Sequence, residues 1–258
     1  LKISIITVCY NSEQFIKSAI DSILSQTYND IEYIIVDGAS NDKTVEIIKS
    51  YGNKITKFIS EPDKGIYDAM NKGIKMSSGE IVAILNSDDF YTDNNVIRDI
   101  ATAFSDNSID GIYGNLLVVY RDNIDKIKRR YEAKKFRVKS LEYGIMPGHA
   151  TIFLKRNLFE KYGLYKTNYK IAADFDLLVR MLYTHKIKIH YLPRIILKAR
   201  TGGVSDNNIF TKFKISKEVL RACKENNLKT NLLKINLRML IKFKLIILAL
   251  FEKQTSLK

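Results

Sequence analysis

The chain has 258 residues, 46% of them hydrophobic and 27% charged, so it has the apolar content to bury a core and lacks the composition of a disordered segment. Two cysteines, Cys9 and Cys223, exclude a disulfide framework or a zinc ribbon and suit a reducing compartment; no signal-peptide pattern opens the chain, and no uncharged run of about 18 apolar residues suggests a membrane span. The net charge of +14 is uneven, with balances of −5 over 1–100, +11 over 101–200 and +8 over 201–258, which excludes uniform coating of a polyanion but leaves a phosphate-bearing substrate or an anionic membrane open.

Short apolar runs at 3–9, 31–36, 57–60, 81–85 and 111–113, each bounded by Asn, Asp, Gly or Ser, predict buried strands. Between the first two, Phe15, Ile16, Ala19, Ile20, Ile23 and Leu24 recur at helical spacing behind Asn11-Ser12, a cap candidate. Val45, Ile47 and Ile48 after Asp42, and Ile66, Ala69, Met70, Gly73 and Ile74, give two further helical stripes. This alternation predicts an α/β fold, a Rossmann-like and mostly parallel sheet with helices on both faces, in which ligands bind beyond the carboxyl ends of the strands. The basic stretch 126–139 predicts paired strands or a loop. A strand over 150–154, a helix from Asp174 to about residue 183, strands near 187–191 and 195–199, and two helices after about residue 208 follow.

The strand ends are therefore the places to look for chemistry. Tyr10-Asn11 follows the first strand, the segment from Asp37 to Asp42 the second, and Asn86-Ser87-Asp88-Asp89 the fourth. Two adjacent carboxylates repel one another, and a magnesium or manganese ion relieves the repulsion while binding the oxygens of a diphosphate. On its own an Asp-Asp pair after a strand is more often a turn or a helix cap.

Ile5-Ile6-Thr7-Val8-Cys9-Tyr10-Asn11, Ser25-Gln26-Thr27-Tyr28, the run from Glu32 to Asp42, Gly79-Glu80 and Leu85-Asn86-Ser87-Asp88-Asp89, in this order and spacing, resemble the inverting family 2 glycosyltransferases of the A-type nucleotide-sugar-binding fold. The likeness is greatest to bacterial enzymes of surface polysaccharide assembly and runs from about residue 2 to 205. It implies that Thr7, Tyr10, Asn11, Asp37, Asp68, Asn71 and Asp88 bind the donor, Asp37 at the nucleotide base and Asp88 at the ribose or sugar. Asp89 would hold Mn2+ or Mg2+ against the diphosphate. The segment from Glu61 to Gly73 resembles a family segment beside the donor, in which Asp68 and Asn71, three apart, would share a helix face. Met70 stands where many relatives carry Arg.

Inverting transfer needs a base to take the proton of the attacking hydroxyl. The segment from Ala172 to Arg180 resembles the family's Glu-Asp motif, with Asp174 at the base position and Ala173 replacing the Glu. His149 in Pro147-Gly148-His149-Ala150-Thr151, and Arg200, Gly202 and Gly203 in the segment from Arg200 to Ser205, are candidate contacts to acceptor or phosphate. The resemblance divides the chain into a catalytic domain over 1–207, with a nucleotide-sugar half over 1–115 and an acceptor half over 116–207, and a basic helical extension over 208–258.

These readings imply metal-dependent, inverting transfer of a hexose from a nucleotide diphospho-sugar, with UDP as the expected nucleotide. The acceptor would be a hydroxyl of a lipid-linked glycan in O-antigen, capsule or exopolysaccharide synthesis. A sugar-phosphate nucleotidyltransferase would share the sheet but needs a Gly-rich basic loop where Tyr10-Asn11-Ser12-Glu13 stands. The alternative from another class is a non-catalytic basic module for anionic lipid or nucleic acid. It leaves the acidic clusters unexplained, and Tyr131 and Phe136 are few aromatics for single-strand stacking, so no nucleic acid partner is expected. Over 231–251, Lys234, Arg238 and Lys242 form one stripe on a wide apolar helix whose uncharged end, 245–251, is far shorter than the about 20 residues a bilayer requires. That pattern predicts a helix lying in an anionic membrane surface, hence a cytoplasmic protein peripheral to the inner face of the cell membrane. The catalytic domain or a second copy of the chain in a homo-oligomer is the other candidate cover for its apolar face.

Overall fold

Strand β1 (Ile3–Cys9) is buried at all seven positions, as a central parallel strand covered on both faces must be. The computed structural model describes residues 1–202 and 209–237. β1 pairs in parallel with β2 (Ile31–Asp37) and β4 (Ile81–Asn86), and β2 pairs in parallel with β3 (Lys57–Ser60). Registers Cys9↔Asp37, Asp37↔Ser60 and Val8↔Asn86 bring these strands to a common carboxyl edge. Beyond β4 the sheet turns antiparallel, through β8 (Phe153–Lys155) to β6 (Gly111–Val119), which pairs in parallel with β9 (Ile189–Arg200); β5 (Phe90–Tyr91) closes that side and β7 (Ile127–Tyr131) hangs on β6.

Alternation along β1 separates the two cores. Ile3, Ile5 and Cys9 pack with α1 (Ile16–Leu24), α2 (Thr44–Lys49) and α4 (Val96–Ala103). Ile6 and Val8 face α3 (Ile66–Met76), α6 (Ala173–Leu178) and α7 (Ile209–Glu225), with α5 (Asn157–Tyr162) at the edge of the same cluster. Gly73 lets α3 lie directly on β1, because a Cβ there would collide with the Ile6 side chain.

The structure corrects several expectations. Asn11 and Ser12 do not cap α1 with their side chains; the Ser12 carbonyl accepts from Phe15 and Ile16, while its hydroxyl meets Ser87 Oγ at 2.9 Å. The strand expected over 150–154 begins only at Phe153, because Thr151 N and Oγ1 both bond to the Gly148 carbonyl and wind His149–Thr151 into a 3-10 turn. The two strands expected near 187–191 and 195–199 are one, β9; its register on β6 slips between Tyr191 and Ile195, and Pro193 sits in the bulge. Beyond residue 207, Val219, Ala222 and Cys223 of α7, Leu228 and Ile235 belong to the α6-side core. Residues 232–237 are helical, and the rest of the helix expected over 231–251 lies outside the described residues. Among the described residues no helix is long and apolar enough to cross a membrane.

At the opposite edge of the sheet Glu32 is almost fully buried. Its Oε1 accepts from Lys57 Nζ (2.8 Å) and Ser78 Oγ (2.8 Å), and its Oε2 from Ser4 Oγ (2.6 Å) and Ser78 N (2.7 Å). Burial alone would raise its pKa, but these donors outweigh it and hold the carboxyl at about 2 against an ordinary 4.5. A carboxylate depressed on folding stabilises the fold above its unfolded pKa and loses that contribution as pH falls from 4.5 towards 2. Glu32→Gln should therefore cost about 1–3 kcal/mol at neutral pH and progressively less below pH 4.5. Urea melts of both proteins across that range check it; a constant difference would contradict it.

Candidate active site

The aligned strand ends open onto a cleft of about 660 Å³ that is floored by Val8 and Cys9 and contains Asp88, Asp89, His149, Asp174 and Arg200. Residues expected from four separate parts of the sequence thus meet in one cavity. Burial, with the charge of Asp37, raises the Cys9 thiol far above its usual pKa, so this cysteine is a wall and not a nucleophile.

One pole of the cleft is the turn after β4. Asp89 is nearly buried; Asn86 Nδ2 donates to its Oδ2 (3.0 Å), and the Arg200 backbone amide and guanidinium also favour its charged form. These donors do not offset burial and the adjacent Asp88 charge, which raise the Asp89 carboxyl to about 7. The Arg200 guanidinium spans the pole, with Nη1 donating to the Asp88 carbonyl (2.7 Å) and its plane over Phe90 and Phe15 at 4.6 and 5.3 Å. Arg121 covers Phe15 at 4.2 Å, putting a second cation beside the first.

Among the described residues no three His, Cys, Asp or Glu side chains form a ready-made ion site. The donor set nevertheless fits a hard cation that takes one or two carboxylates and completes its shell with water and phosphate oxygens, because Asp89 is an under-compensated carboxylate beside a second one.

The other pole lies across α3. Asp174, in the first turn of α6, accepts from the Phe175 amide (2.8 Å), and the Tyr67 hydroxyl stands 3.5 Å from its Oδ1. Burial raises its pKa, with nearby His149 only partly opposing this. His149 Nε2 pairs with Tyr165 OH at 2.7 Å, and burial depresses the imidazole pKa. Tyr67 and Tyr165 stack at 5.8 Å. Asp176, two residues on, is fully buried, paired with Lys166 Nζ (2.9 Å) and Arg180 Nη2 (3.4 Å) and bonded by Asn226 Nδ2 (3.0 Å), so it anchors α6 and does not face the cleft.

Other expected residues are placed differently. Tyr10 is 62% exposed at the cleft rim. Asn11, held at φ 48°, ties the loops after β1 and β2 by accepting from Asn41 N (3.0 Å) and donating its own amide to Ser40 Oγ (2.8 Å). Thr7 is buried within β1, bonded to the Tyr33 hydroxyl (3.1 Å), and does not reach the cleft. Asp37 is fully buried, with Oδ2 accepting from Ser40 N (2.9 Å) and Ser60 Oγ (2.6 Å) and Oδ1 from Ser40 Oγ. It reaches a ligand only by releasing one of these hydroxyls.

Asp68 and Asn71 are not brought to the cleft as a pair. Asp68 caps the start of α3 at Lys64 N (3.0 Å), and Asn71 points inward, clasping both backbone groups of Tyr165 at 2.8 and 3.0 Å. Gly202 has φ +98° and packs beside Arg121; Gly203 lies outside the described residues. Tyr67, Tyr165, Asp63 and Lys170 were not singled out from sequence. Tyr67 lay within the segment read as flanking the donor, whereas Tyr165 stands in a segment with no periodicity.

Comparison with known proteins agrees with this architecture. The profile of glycosyl transferase family 2 matches residues 4–163. An uncharacterised glycosyltransferase of Rickettsia typhi is 31% identical over 219 residues, covering 80% of this chain and 66% of its own; a PGL/p-HBAD biosynthesis glycosyltransferase of Mycobacterium tuberculosis is 26% identical over 212 residues, covering 81% and 80%. The chain thus spans just under two thirds of the Rickettsia relative. Among solved structures, Staphylococcus aureus TarS 1-349 in complex with UDP-GlcNAc superposes with a TM-score of 0.68 at 18% identity, covering 89% of this chain and 68% of that one. The mannosyltransferase PcManGT of Pyrobaculum calidifontis, in complex with GDP-Man and Mn2+, gives 0.65 at 16%, covering 89% and 65%. Structural likeness at such identities speaks for the fold, and the profile match, which takes in β1 through α5, identifies the lineage: the chain belongs to glycosyl transferase family 2.

Proposed function

We propose that the chain transfers a hexose from a nucleotide diphospho-sugar, a UDP-sugar by the resemblance, to a hydroxyl of a lipid-linked glycan, inverting the anomeric carbon. One observation carries this reading: a cleft with a cationic and under-compensated acidic pole at Arg200, Asp88 and Asp89 has a carboxylate of raised pKa, Asp174, on its other wall. The diphosphate belongs at the first pole and the acceptor hydroxyl at the second.

Asp89 would hold a Mn2+ or Mg2+ ion, which when bound neutralises charge on the departing diphosphate, while Asp88 beside it would bind the ribose or donor sugar. Arg200 supplies fixed positive charge from the protein itself, its guanidinium oriented by Phe15, Phe90 and the Asp88 carbonyl. Asp174 takes the proton of the acceptor hydroxyl as its oxygen bonds to the anomeric carbon, while the bonding pair of the sugar–phosphate link leaves with the diphosphate. A raised pKa suits the step, since a carboxylate too acidic would be a poor proton acceptor. Tyr10 at the rim and Asp37 behind it would bracket the nucleotide base, Asp37 only on exchange of a serine hydroxyl. The structures of similar fold in complex with UDP-GlcNAc, and with GDP-Man and Mn2+, support the donor class and the metal.

Attachment to an anionic inner membrane face, within O-antigen, capsule or exopolysaccharide assembly, rests on the basic second half. In β7, Lys128, Arg129 and Arg130 are exposed beside Ile127, itself 55% exposed. The apolar, lysine-striped pattern that continues beyond residue 237 points the same way.

Offered UDP-GlcNAc, UDP-glucose, UDP-galactose and GDP-mannose with Mn2+ and anionic phosphatidylglycerol vesicles, the protein should sediment with the vesicles and release nucleotide from one of these donors. Excess EDTA or Asp89→Ala should lower that release by about 100-fold or more. Turnover that persists in EDTA would remove the metal, and a soluble dimer that ignores the vesicles would replace the membrane by self-association.

Asp174 must be ionised to act. Because its pKa is raised, turnover should fall as pH drops through a value above the ordinary 3.8. Asp174→Asn should keep donor affinity, lose about 100-fold or more in turnover, and lose that acid limb. A limb unchanged in the variant would assign the ionisation elsewhere.

A further inference from the structure

The position before Asp174 is Ala173, fully buried, so no neighbouring carboxylate on α6 orients the base from there. In the segment leading into α6, residues 170–172, the Ala172 carbonyl accepts from Asp176 N (3.0 Å), and Lys170 and Ile171 line the cleft. One side chain holds all three of its amides. Glu218, on the middle of α7, accepts from Lys170 N with Oε1 (3.0 Å), and from Ile171 N (2.8 Å) and Ala172 N (3.0 Å) with Oε2.

Three consecutive peptide planes are thereby fixed by a single carboxylate, through charge-assisted bonds stronger than neutral ones. The clamp continues towards the reacting group. The carbonyl of Ile171, whose amide Glu218 holds, accepts from the Tyr67 hydroxyl, which in turn stands 3.5 Å from Asp174 Oδ1.

Glu218 is itself rigidly placed. Val219, Ala222 and Cys223 bury the neighbouring face of α7. Arg221 donates to the Asn168 carbonyl (3.3 Å), Glu225 pairs with Lys166 (2.8 Å), and Asn226 donates to Asp176 (3.0 Å).

We propose that Glu218 is a positioning residue for Asp174: from outside the part of the chain that defines the family, it fixes the 170–172 backbone and the Tyr67 hydroxyl so that the base carboxylate meets the acceptor. The inference rests on the reading of Asp174 as the base. It makes α7 part of the active-site framework.

The test uses the full chain and hydrolysis of whichever of UDP-GlcNAc, UDP-glucose, UDP-galactose or GDP-mannose the wild type consumes fastest with Mn2+. Glu218→Gln keeps one acceptor oxygen and turns an NH2 towards what the other oxygen bonded; Glu218→Ala keeps neither. Glu218→Gln should melt close to wild type, exchange the amides of 170–172 faster, keep the donor KM, and lose about 10-fold in turnover, with Glu218→Ala losing more. In the Asp174→Asn background, Glu218→Gln should cause no further loss, because a residue acting through the base has nothing left to position.

An equal loss in both backgrounds would make Glu218 merely structural and overturn the proposal, as would wild-type turnover or unchanged amide exchange in Glu218→Gln. Failure of the base reading looks different: Asp174→Asn alone would then turn over like wild type. If Glu218→Ala does not fold, the Gln variant carries the test alone.

Discussion

Parallel pairing of β1 with β2 and β4 is the constraint on which the site depends. Because Cys9 lies opposite Asp37, and Val8 opposite Asn86, the chain must leave three buried strands at one edge, and whatever polar residues follow are gathered there. The strand interiors are buried and their polar side chains Ser4, Thr7 and Glu32 are engaged within the fold, so the chemistry must come from the strand ends and the turns after them. Glu32 lies at the other edge with its charge fully compensated, which secures the sheet without competing for the cleft.

The buried acids of the fold differ in how completely they are compensated, and the proposed reaction draws on that difference. Asp37 is matched by serine hydroxyls and a backbone amide, and Asp176 by a lysine, an arginine and an asparagine. Asp89 and Asp174 have fewer donors than their burial demands, and both pKa values are raised. At Asp89 the deficit creates affinity for positive charge; at Asp174 it creates affinity for a proton. A leaving diphosphate and an attacking hydroxyl require those two properties on separate walls of one cavity.

How much of this could be read in the sequence depended on range. The four parallel strands and α1 to α3 were legible because apolar period and bounding turns are local signals, whereas the Asp88-Asp89 turn, ambiguous by itself, stood out only through the family resemblance of the segments around it. Asp68 and Asn71 share a helical spacing, but spacing does not reveal that the backbone of Tyr165 would claim both ends of the Asn71 amide. The slip of β9 on β6 was hidden because Pro193 reads as a break when the compensating partner strand is unknown. Glu218 was illegible for the same reason: its three amide partners lie 46 to 48 positions away, and nothing in α7 by itself distinguishes it from a surface acid.

The central claim is a single displacement in which Asp174 deprotonates the acceptor while the diphosphate leaves from the far side. The anomeric configuration of the product tests it most directly. With a donor of known configuration, the coupling between the first two ring protons of the transferred sugar should show the opposite configuration in every product molecule. Retention would contradict the account, because no single attack from the Asp174 side yields it.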